Sequence, residues 1–263
     1  MTIYLFGDSY VAPEEVKYLG IEDHKRWYDF LSEEQNEKHI NYGECGSGPV
    51  EAMTHFQRCL EDGFLTDQKV VMVLSNPFRI PWARTFNNGR HGLAEHDYEV
   101  NSAGIYQDYF SDPDKIEPKL KNSIKDLYDC MWEELCRTNY KNICYLSHMS
   151  KVHSIKMIVF IVYDQKMYYT TRKKIYPKIN TSELIYELES LNNDSFYYYK
   201  TPLFEYSKNE EDDSSYLLNH LSIYNHTILS NVISNFFYNT NYDTEFFIPI
   251  KKSHKTHIDF IYE

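Results

Sequence analysis

A chain of 263 residues with 42% hydrophobic content can bury a substantial core, as one large domain or two small ones. Its formal charge of -12 argues against a sequence-independent hold on nucleic acid or on an anionic membrane, since both need a net basic face; neutral or carbohydrate partners fit better. The five cysteines are odd in number and form no CxxC pair, so free thiols are expected rather than a disulfide framework or a zinc site. The amino terminus lacks a basic and then apolar leader, and no apolar run reaches about 18 residues. A cytoplasmic protein is the expectation.

The chain opens on Ile3-Tyr4-Leu5-Phe6, an apolar run that passes straight into Gly7-Asp8-Ser9. A short buried strand ending this way delivers a hydroxyl to the rim of a sheet, where open α/β folds bind their ligands. Gly7 permits a sharp turn, Asp8 fixes it by bonding nearby amides, and Ser9 is left facing outward as a candidate nucleophile. The same three residues are also the common vocabulary of an ordinary turn. Asp23 to Gln35 places Trp27, Phe30 and Leu31 at helical spacing. A strand is expected at His39 to Tyr42. It runs into Gly43-Glu44-Cys45-Gly46-Ser47-Gly48-Pro49, which has the densest glycines in the chain. Such a loop allows close approach and aims backbone N–H groups at a ligand as it opens a helix over Val50 to Glu61. A plain strand-to-helix connection is the alternative.

Lys69 to Leu74 is a β-branched apolar run of the kind buried on both faces of a parallel sheet. It ends at Ser75-Asn76-Pro77, so Asn76 can present its amide at the same rim as Ser9. Alternating strands and helices predict a doubly wound, mostly parallel α/β sheet. Residues 78–117 then form a long insertion, in which Arg79 and Arg84 are candidates to hold a polar substrate or to make surface ion pairs. An amphipathic helix follows over Pro118 to Cys136, then a short break, then more helix over Tyr140 to His153 and a strand over Lys156 to Tyr163. His148 and His153 lack a third ligand nearby and read as ordinary histidines.

Residues 164–195 are a second insertion, with a helix expected at Ser182 to Leu191. A last strand is expected at Phe196 to Leu203, followed by an acidic loop over Lys208 to Ser215. Asn219-His220-Leu221-Ser222 precedes a core-facing helix over Tyr224 to Phe237. His226 lies in that helix and is turned away from His220. The domain is expected to span 1–238. The apolar tail 239–263 is expected to pack on the body or, in a homo-oligomer, on a partner.

In order, Gly7-Asp8-Ser9, Asn41-Tyr42-Gly43-Glu44-Cys45-Gly46, Leu74-Ser75-Asn76 and Asn219-His220-Leu221-Ser222 resemble the blocks of the SGNH/GDSL hydrolases, with the look of a bacteriophage-type member. The resemblance covers residues 1 to about 238. It implies a flavodoxin-like, three-layer α/β/α hydrolase fold without metal or organic cofactor, acting on a small acyl ester such as an acetylated carbohydrate. It also implies Ser9 as nucleophile, His220 as base, and an oxyanion hole made by Ser9, Gly46 and Asn76. Asp8 and Arg79 fall at positions suited to substrate contact. Two positions depart from the pattern. The Asp usual three residues before the catalytic His is Leu217, and block three keeps Asn76 but loses its usual neighbours. The acid is then expected from Asp213 or Asp212, or a backbone carbonyl orients the imidazole. Two other readings stay open: a catalytically degenerate member that binds a glycan or protein, and a flavodoxin-like protein whose loop at 43–48 cradles a phosphate.

Overall fold

In the computed structural model, which describes residues 2–13, 25–44, 47–77, 118–162, 188–203, 221 and 223–239, five runs rich in β-branched and aromatic residues pair into one sheet. The strands are β1 (Thr2–Gly7), β2 (Lys38–Gly43), β3 (Lys69–Leu74), β4 (Lys156–Ile161) and β5 (Phe196–Tyr199). Every pairing is parallel and the order is β2-β1-β3-β4-β5. The connections reverse direction between β1 and β3, so a crevice is expected outside the carboxyl ends of those two strands.

Side-chain alternation along each strand divides the core in two. Ile3, Leu5, Val71, Val73, Ile158 and Phe160 face one side, where helices α1 (Trp27–Gln35) and α4 (Ile223–Tyr238) cover them. Tyr4, Phe6, Val70, Met72, Met157 and Val159 face the other, against α2 (Pro49–Glu61) and α3 (Pro118–Val152). The result is three layers, as expected. All six β3 residues are buried, and each Val or Leu so placed contributes about 1.5–3 kcal/mol. β2 is an edge strand; it alternates exposed with half-buried positions over its first four residues and ends on half-buried Tyr42 and buried Gly43.

Several boundaries differ from expectation. α1 begins at Trp27 rather than Asp23, because Arg26 is extended (φ -94°, ψ 166°) and its N–H donates to Asp29 Oδ2 at 2.9 Å. The break expected near residues 137–139 is absent, and α3 runs through it. Thr138 Oγ1 donates to the Glu134 carbonyl one turn back (3.0 Å), while the Asn139 side chain is drawn to a distant partner instead of its own backbone. β5 stops at Tyr199 rather than Leu203. Of the helix expected at 182–191, the described residues contain a short 3-10 turn, Glu189–Leu191. Most of both insertions, and the tail beyond 239, lie outside the described residues. No helix of the described residues is long and apolar enough to cross a membrane.

The direction of α4 fixes which residues reach the rim. Lys69 and Lys156 are register partners that open β3 and β4, so they mark the amino edge of the sheet. Lys156 Nζ donates to the Phe237 carbonyl at 3.0 Å, and Lys69 Nζ lies 3.7 Å from the centre of the Tyr238 ring. The carboxyl end of α4 therefore sits at the amino edge. At 1.5 Å per residue α4 is roughly 24 Å long, enough to cross a strand layer of about 20 Å and bring its first turn to the carboxyl rim. Leu221, just before α4, is buried in the same cluster as Tyr10, Val11, Val162 and Leu203, all of which follow strands.

Candidate active site

The site is built from three strand ends. β1 delivers Asp8 and Ser9, and β3 delivers Ser75 and Asn76 beside them. The turn after β1 closes on itself: the Val11 and Ala12 N–H groups both donate to the Asp8 carbonyl at 2.9 Å, and the Tyr10 N–H donates to Asp8 Oδ1 at 3.1 Å. Asp8 thus fixes the turn as its residue type predicts. The residue is 1% exposed. Ser9 is 7% exposed and Asn76 4% exposed, which places both in an enclosed setting rather than on an open surface.

Two glycines let this turn fold back over the sheet. Gly7 and Gly43 are register partners at the ends of β1 and β2. A Cβ on Gly43 would stand 2.8 Å from Ala12 N, Val11 C and Val11 Cβ; one on Gly7 would stand 2.7 Å from Val11 Cγ2 and 2.9 Å from Val73 Cβ. Asn41 then clamps the turn to β2. Its Nδ2 donates to the Val11 carbonyl (2.8 Å), and its Oδ1 accepts from the Gly43 N–H (2.7 Å).

After β2 the Glu44 N–H and Ser47 Oγ both donate to the Gly7 carbonyl, at 3.1 and 3.2 Å. Two donors of the glycine loop are therefore engaged in tying it to β1, which leaves less of it to cradle a phosphate. α2 starts directly after, with the Gly48 N–H donating to Glu51 Oε2 at 2.9 Å. On the outer side His55 Nε2 lies 3.0 Å from Glu44 Oε1, and the His55 ring stacks on Tyr42. The pKa of the Tyr42 hydroxyl is pushed up to about 12, first by its hydrogen bond with the Cys59 sulfur and then by burial.

The segment after β3 is held from two sides. The Val162 N–H donates to the Leu74 carbonyl (3.0 Å), and Asn139 Nδ2 donates to the Ser75 carbonyl (3.0 Å). Asn139 is absent from the site expected on sequence grounds, although a signal exists. Leu135, Asn139, Ile143, Leu146 and Ser150 are all buried at spacings of four, four, three and four. Polar members of a buried helical stripe need partners. Asn139 finds one at the carboxyl end of the sheet, and Ser150 finds one at the amino end, donating to the Ile155 carbonyl at 2.7 Å.

Trp27 links the Ser9 turn to α4. Its indole Nε1 donates to the Tyr10 carbonyl (3.0 Å), and its backbone N–H donates to His226 Nδ1 (3.1 Å). His226 is fully buried, and its Nδ1 caps the start of α1 by accepting from the Trp27 N–H. Ser9 and Asn76 are thus brought to one rim. Gly46, Arg79, Asp213 and His220 lie outside the described residues; Leu221, the next described residue, is buried with Tyr10, Val11 and Val162. Among the described residues no group of three or more His, Cys, Asp or Glu side chains is placed to hold a metal ion.

In comparisons with known proteins, no family model, no curated protein and no solved structure matches the chain.

Proposed function

We propose that the chain is a serine esterase of the SGNH/GDSL type, with Ser9 as nucleophile and His220 as base, acting on a small acyl ester such as an O-acetyl group on a carbohydrate. One observation carries this reading: adjacent parallel strands deliver Gly7-Asp8-Ser9 and Ser75-Asn76 to the carboxyl edge of the sheet at its switch point, the place where open α/β sheets bind ligands. The orientation of α4, which brings Leu221 and its own first turn to that edge, supports it further.

A Ser hydroxyl becomes a useful nucleophile when an imidazole takes its proton as it attacks. In the proposed mechanism His220 accepts the Ser9 proton, and the Ser9 oxygen bonds to the ester carbonyl carbon. The carbonyl oxygen then carries the charge. The N–H groups of Ser9 and Gly46 and the Asn76 side-chain amide stabilise it, each such donor contributing about 3–4 kcal/mol. Collapse expels the alcohol, which takes its proton from His220. Water, deprotonated by His220, then attacks the acyl carbon, and the bond to the Ser9 oxygen breaks as that oxygen takes the proton back from His220, releasing the acid. Asp213 is the proposed acid behind the imidazole. Hydrolysis of p-nitrophenyl acetate by the whole protein, abolished in Ser9→Ala with the fold unchanged, is the expected result. An unchanged rate in Ser9→Ala would refute the reading.

Leu217, standing where the family usually has its Asp, favours a second reading. In it the fold is kept and the crevice binds a glycan or protein without turnover. Without the orienting acid, triad enzymes lose on the order of 10⁴ in turnover while retaining their geometry. Binding of an acetylated glycan with no hydrolysis, in a protein whose Ser9 resists acylating probes, would select this reading.

A further inference from the structure

Asn139 is 5% exposed, yet its Oδ1 is buried with no hydrogen-bond partner among the described residues. Its Nδ2 donates to the Ser75 carbonyl, which fixes the orientation of the amide, since the carbonyl accepts only from a donor. For folding alone, Asn139 gains little. The net gain from one neutral hydrogen bond and the cost of one unmatched buried acceptor are of similar size and opposite sign. An apolar side chain would continue the stripe of Leu135, Ile143 and Leu146 without that cost. What the apolar side chain could not do is hold the Ser75 carbonyl.

That carbonyl belongs to the peptide joining Ser75 to Asn76. Leu74, one residue earlier, is already held by the Val162 N–H. The Asn139 bond therefore controls the next peptide plane, and with it the direction in which the Asn76 Cα–Cβ bond leaves the backbone. We infer that Asn139 is a positioning residue that sets the Ser75–Asn76 peptide so that the Asn76 amide points into the crevice. For catalysis this inference rests on the esterase reading above, because Asn76 contributes to rate only if an oxyanion forms beside it. A long helix suits this role. The amino edge of the sheet anchors the far end of α3, where the Asp67 N–H donates to the His153 carbonyl (3.2 Å), and the helix carries Asn139 as part of a rigid rod.

The test is Asn139→Leu, which fills the space but lacks the donor, with Asn139→Asp as a second variant of the same shape that replaces the NH2 by an oxygen. The assays are steady-state hydrolysis of p-nitrophenyl acetate, thermal unfolding, and the side-chain 15N–1H resonances of Asn76. The expected result is a kcat lowered about 10- to 100-fold with KM unchanged, as for a donor moved by a fraction of an ångström to about 1 Å. The Asn76 resonances should move in both variants, and Asn139→Gln, which keeps a donor, should recover part of the rate. If kcat stays within about twofold of the parent in a folded variant, or the Asn76 resonances do not move, the inference is overturned. If the parent protein itself neither hydrolyses the ester nor reacts at Ser9, the esterase reading fails separately. The Asn76 resonances then decide the positioning role alone: movement upholds it and constancy overturns it.

Discussion

Adding one methyl group at Gly43 tests the packing that shapes the Ser9 turn. The new Cβ in Gly43→Ala would meet Ala12 N, Val11 C and Val11 Cβ at 2.8 Å each. Nonbonded carbon contacts are optimal near 3.5–4.0 Å, so each contact is short by roughly 0.7 Å or more. Two of the three atoms are backbone, which no rotamer change can move. The turn must shift against the bonds that close it, from the Val11 and Ala12 N–H groups to the Asp8 carbonyl and from Asn41 Nδ2 to the Val11 carbonyl. Overpacking of this kind costs about 1–3 kcal/mol. For a domain of this size that lowers Tm by roughly 2–4 °C per kcal/mol.

Gly63→Ala supplies the comparison. Gly63 has φ +75° with nothing within 4 Å of an added methyl, so its cost is backbone strain alone, about 1–2 kcal/mol. Thermal unfolding should show both variants destabilised. The amide resonances of residues 8–12, by contrast, should move only in Gly43→Ala. If Gly43→Ala leaves those resonances in place, the turn is not held as described.

Three further outcomes follow from other contacts. Lys69 and Glu37 form an ion pair at 2.7 Å with side chains 8% and 14% exposed, so Lys69→Met should destabilise by about 3–5 kcal/mol in urea unfolding, and the double variant Lys69→Met/Glu37→Leu should recover most of that loss. Burial and, second, the Glu37 carboxylate hold the neighbouring Tyr238 hydroxyl above its usual pKa, so that hydroxyl stays neutral throughout such a measurement. His226→Leu strips the acceptor from the Trp27 N–H and should cost about 1–3 kcal/mol, with His226→Asn losing less because its Oδ1 can stand in for Nδ1. Burial lowers the pKa of His39 below 6.5, against a smaller upward pull from Asp29 and with a downward push from Arg26. The unfolded chain therefore takes up that proton first as pH falls. Stability from neutral His39 is complete above about 6.5 and declines from there down to the folded-state pKa, so urea unfolding at about pH 7 and about pH 5.5 should differ less in His39→Gln than in the parent.

Local chemistry made much of the fold legible. β3 is readable because six consecutive apolar or aliphatic-stemmed residues fit a strand buried on both faces, and Gly7 is readable as a turn residue; that Gly43 makes room for the Val11–Ala12 backbone rather than for a ligand is visible only in the structure. The strand-end positions of Ser9 and Asn76 follow from those elements. What the sequence hides is mostly long-range. Thr138 and Asn139 look like a helix break because each competes locally for backbone bonds, and only the Ser75 carbonyl, 64 positions away, shows why Asn139 is tolerated. The Trp27 N–H and His226 are 199 positions apart, so a helix cap supplied by a histidine of another helix has no local signature. The start of α1 shifts for a smaller reason, the bond from the Arg26 N–H to the Asp29 carboxylate.

Covalent labelling of Ser9 tests the central proposal most directly. The whole protein is treated with a fluorophosphonate probe, and the adduct is located by peptide mass analysis. A single adduct on Ser9, absent in Ser9→Ala and formed far more slowly in His220→Ala, is the predicted result. No adduct, or labelling of Ser9 at the same rate when His220 is replaced, would contradict it.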